Sequence, residues 1–74
     1  MSTYMALGVD GLATIARAGG SLTVTITPGV QGLATIARAG QSTGATLTIL
    51  NAVPLGVDGM ATIARANPGK VIFV

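Results

Sequence analysis

Gly11–Gly19 reads GLATIARAG, Gly32–Gly40 returns it letter for letter, and Gly59–Asn67 returns it once more as GMATIARAN. In the first repeat, which begins just ahead of that copy, Val9, Leu12, Ile15, Ala16 and Gly19 share one helical face, while Asp10, Thr14 and Arg17 share another. That spacing predicts a short amphipathic helix. Behind each copy comes a β-rich run: Ser21–Thr27 (SLTVTIT), Ala45–Leu50 (ATLTIL) and Lys70–Val74 (KVIFV). The first two runs alternate, with Leu22, Val24 and Ile26 set against Thr23, Thr25 and Thr27, and Leu47 and Ile49 against Thr46 and Thr48. The third is apolar at Val71, Ile72, Phe73 and Val74 alike, the pattern of a strand covered on both faces.

Helix then strand, stated three times, predicts an α/β fold of the solenoid type: three repeats in one domain, at about residues 8–27, 29–50 and 56–74. Right-handed crossovers would make the sheet parallel and place the short helices on one of its faces. Strands stack about 4.8 Å apart and helices about 8–10 Å, so small residues such as Ala13, Ala16 and Ala18 should help neighbouring helices approach, and the remaining mismatch should bend the stack. The helix ends carry their own signals. Asp10 and Asp58 sit where an N-cap or first-turn carboxylate favours the helix dipole, and Arg17, Arg38 and Arg65 sit in the last turns. Gly19 and Gly40 suit a left-handed residue after the helix, while Asn67 precedes Pro68, which disfavours helical backbone at Asn67.

Composition narrows the function. A single core of 74 residues is marginal without a disulfide, a metal or a partner chain, and the chain has neither cysteine nor histidine to supply the first two. Half of the residues are apolar and only 8% are charged, which reads as surface destined for contact. The net charge of +2 comes from Arg17, Arg38, Arg65 and Lys70 against Asp10 and Asp58, with one arginine per copy. Scattered cations with only Tyr4 and Phe73 as aromatics do not make a nucleic-acid surface. Met1–Gly11 shows no basic stretch followed by an apolar one, and no run approaches the length of a membrane span. A cytoplasmic or virion setting is the default expectation, with an extracellular filament as another.

Units of this size and order resemble leucine-rich repeats and, in wording, the short bacterial α/β repeats of the IAKAGG type. The likeness covers nearly the whole chain in architecture. It departs from the leucine-rich pattern after Leu22-x-Val24-x-Ile26, where no asparagine ladder follows and Asn51 stands alone in another register. Resemblance to the leucine-rich family implies a binding scaffold with a curved sheet and carries no site residues across.

Chemistry finds little to work with. Asp10 and Asp58 occupy equivalent positions, with Gln31 in the same slot of the middle copy, so they read as helix-start residues and not as an acid–base pair. No histidine or cysteine activates a serine or threonine, Gly69-Lys70 leads into a strand and not a helix, and no cofactor motif is present. The expectation is a protein that is not an enzyme and takes no cofactor, metal or small-molecule substrate. A stack without polar end units adds copies of itself. Leu22, Val24 and Ile26 of the first strand, Val71, Ile72, Phe73 and Val74 of the third, and Tyr4 with Met5 over the joint are the expected self-assembly residues. Two other surfaces offer a binding role: the threonine rows Thr23, Thr25, Thr46 and Thr48, which resemble an ice-binding face, and the arginine row Arg17, Arg38 and Arg65. A designed consensus sequence without a biological task is the remaining alternative.

Overall fold

Each helix starts three residues ahead of the recurring nonapeptide, at the first glycine of Gly8-Val-Asp-Gly11, Gly29-Val-Gln-Gly32 and Gly56-Val-Asp-Gly59. The structure, a computed structural model, describes residues 7–74. Its elements run α1 (Gly8–Arg17), β1 (Leu22–Val24), α2 (Gly29–Ala39), β2 (Leu47–Ile49), a 3-10 turn (Val53–Leu55), α3 (Gly56–Ala66) and β3 (Val71–Phe73). Gly8, Gly29 and Gly56 have φ of 76°, 77° and 74°. At Gly56 ψ is 168°, a backbone region essentially reserved for glycine. This kink turns the preceding segment into the helix, and no side chain caps the helix starts. Asp10 and Asp58 accordingly lie in the first turn, where a carboxylate offsets the positive end of the dipole.

The three helices stop in three ways. After α1, Gly19 takes φ 101°, Gly19 N–H donates to Ala16 C=O (3.0 Å) and Gly20 N–H to Ile15 C=O (2.9 Å), the paired bonds of a Schellman stop. Gly40 does not repeat this: its φ is −86°, and the left-handed residue comes only at Gly44, φ 76°. Glycine is needed at position 40 for space, because a Cβ there would stand 2.9 Å from the Ala45 Cβ. α3 ends at Ala66, with Asn67 out of the helical region (φ −154°, ψ 78°) ahead of Pro68, which disfavours helical backbone there.

The strands pair in parallel in the order β1-β2-β3, with Leu22, Leu47 and Val71 abreast, then Thr23, Thr48 and Ile72, then Val24, Ile49 and Phe73. They are shorter than the β-rich runs of sequence, because the ladder holds only three residues of each. The first and third rows face the helices. Leu12, Leu33, Ile36, Ile49, Ile63 and Val24 are fully buried between the layers, each contributing about 1.5–3 kcal/mol by leaving water. Ala13 and Ala16 are buried where α1 meets its neighbours, whereas Ala18 and Gly19 are exposed. β3 corrects the expectation of a strand covered on both sides. Ile72 is 49% exposed and Val74 67%, since the helices cover one face of the sheet and nothing described covers the other.

Candidate functional site

Three surfaces carry the residues that the sequence singles out. The first is the outer edge of β3 with the adjoining face of α3. Leu47 N–H donates to Lys70 C=O (2.8 Å) and Val74 N–H to Ile49 C=O (2.9 Å), so residues 70, 72 and 74 turn their backbone groups toward β2. By the alternation of a parallel ladder, the backbone groups of Val71 and Phe73 point the other way, off the edge of the sheet. Their side chains pack partly against the core, while Ile72 and Val74 project into solvent. In the helix layer Val57, in the first turn of α3, is 83% exposed.

The same construction is filled elsewhere in the molecule. A Cβ on Gly32 would stand 3.0 Å from Val9 Cγ2, and one on Gly59 3.0 Å from Val30 Cγ2. α1 and α2 thus each lay the valine of the Gly-Val-x-Gly segment onto the second glycine of the next helix. The glycines leave room for that valine and for Pro28 or Leu55 below it. Sequence reasoning missed this contact, although the pairing of a fixed valine with a fixed glycine in all three segments was its visible sign.

At the opposite edge, Leu22 and Val24 are buried under the helices and Ile26 packs partly against the core, so the apolar side chains of the first strand serve the chain's own core. Tyr4 and Met5 lie outside the described residues.

The second surface is the uncovered face of the sheet. Thr23 and Thr48 stand in register there with Ile72, and Thr46 is half-buried at the start of β2. Thr25 Oγ1 is within 2.9 Å of Thr27 Oγ1, which ties this hydroxyl into the turn after β1. The threonine row therefore spans two strands and gives way to isoleucine on the third.

The third surface gathers only two of the three arginines. Arg17 and Arg38 line an open depression of about 370 Å³ with Thr35, Ala39 and Ser42, whereas Arg65 donates to Thr62 Oγ1 (3.4 Å) on its own helix. All three lie in last turns, where their charge faces helix carbonyls. The apolar space bounded by Ala16, Leu22, Ile36, Ala37 and Leu47 is too small for a water molecule. Among the described residues no three acidic side chains come together as metal ligands, and no helix is long and apolar enough to cross a membrane. No protein-family model, curated protein or solved structure matches this chain.

Proposed function

We propose that the protein is a structural subunit, without enzymatic activity, whose three stacked helix–strand repeats join head to tail into a filament, tube or ring. In this reading the solenoid of one copy continues into the next, with the α3/β3 end of one meeting the α1/β1 end of another. One observation carries it: the backbone groups of Val71 and Phe73 point off the sheet, Ile72 and Val74 on the open face and Val57 in the helix layer are exposed apolar side chains, and no side chain between Val71 and Val74 is charged. Natural edge strands are guarded by charge, proline or a bulge, and here Lys70 is the single guard, at the first residue before the strand. A contact between unlike surfaces does not close after two copies, so it builds rings or open filaments.

The test is sedimentation velocity across a concentration series, with negative-stain micrographs of the same samples. Assemblies many times the 7.2 kDa chain mass are expected, growing with concentration. A single 7.2 kDa species at high concentration would refute the assembly. The in-register Thr23 and Thr48 on the open sheet face would then become the favoured working surface, as a binding module.

A further inference from the structure

Among the described residues Val57 has no glycine to rest on, and its two equivalents do. Val9 of α1 packs over Gly32 of α2, and Val30 of α2 packs over Gly59 of α3, each at the same 3.0 Å approach to the glycine's Cβ position. Both valines are half-buried by this contact, whereas Val57, at the same place in the same tetrapeptide, is 83% exposed. The pattern has a missing member at each end: a valine without a glycine on α3, and on α1 a glycine, Gly11, that receives no valine from the described residues. Gly11 meets only Leu7 of its own segment, just as Gly32 meets Pro28 and Gly59 meets Leu55.

We propose that the outer face of α3 is the docking surface for α1 of a second copy of this chain, with Val57 seated over Gly11. The proposal rests on the head-to-tail reading above and adds what fixes its register. The occupant follows from continuity with the two helix interfaces already inside the molecule: a helix that fits α3 as α3 fits α2 must offer glycine at the fourth position of its Gly-Val-x-Gly segment. α1 does so with Gly8-Val-Asp-Gly11. A side chain in place of that glycine would hold the helices apart. Because strands pack more closely than helices, the valine-on-glycine contact also sets how far the sheet must bend from copy to copy.

The decisive variant is Val57→Glu in the full chain, judged by sedimentation with the parent as reference. Val57 is exposed in the single chain, so helix content by circular dichroism should not change. A carboxylate buried without a partner at the joint should raise the concentration for half-association at least tenfold. Val57→Ala should produce a smaller rise. If Val57→Glu assembles like the parent, the helix docking is wrong even though association itself stands. If the parent never associates, the head-to-tail reading falls, and this one with it. A third chain separates the docking from a symmetric α3-to-α3 contact: Val57→Cys carries the only cysteine in the sequence. Under mild oxidation it should assemble without covalent dimers, and efficient 57-to-57 disulfide formation would overturn the pairing with α1.

Discussion

Gly56 shows what a single residue decides here. Its backbone, at φ 74° and ψ 168°, turns the 3-10 segment Val53–Leu55 into α3, and no atom lies within 4 Å of where a Cβ would stand. Substitution therefore meets a conformational penalty with no steric one. Gly56→Ala should lower the unfolding free energy by about 1–3 kcal/mol, read from the urea midpoint. D-alanine placed there by chemical synthesis should restore it, since the mirror residue is at ease at positive φ. If L-alanine were harmless, the kink at the helix start would not be a feature of the folded chain. Gly40 represents the opposite kind of requirement: its φ is ordinary, and it is fixed by the Ala45 Cβ that would stand 2.9 Å away. From sequence the two kinds look alike, and for this reason the left-handed turn expected at Gly40 belongs instead to Gly44.

At the scale of elements, the third copy solves its helix stop differently from the other two, and the solution reaches into the core. Asn67 is only 3% exposed and its Nδ2 donates to Ala45 C=O (3.3 Å) at the start of the second β-rich run, tying the end of α3 to the approach to β2. Across the other side of that approach, Thr43 Oγ1 donates to Ala16 C=O (2.9 Å), one of the carbonyls at the end of α1. Asn67→Ala leaves the Ala45 carbonyl buried without its side-chain donor, at a cost of about 1–3 kcal/mol. The measurement is thermal or urea unfolding, and a variant as stable as the parent would show that water replaces the amide. The order of helices and strands was legible from the sequence because ATIARA has a helical period and the threonine runs have a period of two. The helix starts were not, since Gly-Val-x-Gly contains two residues that weaken helices and declares nothing of its role as a hinge and a seat. Nor was the exposure of Ile72, because four apolar residues in a row report composition and not the presence of a second layer to cover them.

For the whole molecule, the head-to-tail reading turns on which of its two layers would join the copies. The chain is thin, 18 Å along its shortest axis against 30 and 28 Å along the others, and the described helices lie on one side of the sheet. Parallel sheets are usually covered on both faces, so the face left open by the described residues calls for an explanation, and the β3 edge is the natural place to probe it. The edge can be tested without damaging the fold. Phe73→Asp would place a charge among core residues, because Phe73 packs against the buried cluster. Val71→Pro is the cleaner probe. The Val71 N–H points off the sheet and takes part in no bond to β2, so proline removes an outward donor while leaving Lys70 C=O to accept from Leu47 N–H and Val74 N–H to donate to Ile49 C=O. Its ring is close to valine in size, and Lys70 before it already lies outside any helix. Under the head-to-tail reading Val71→Pro should remain folded by circular dichroism, shift sedimentation toward the 7.2 kDa chain and shorten any filaments seen in micrographs. Normal filament length with this variant would mean that the sheet does not run through the joint. Were Val57→Glu to abolish assembly in the same series, the helix layer alone would hold the copies together, with Val57 as its contact point.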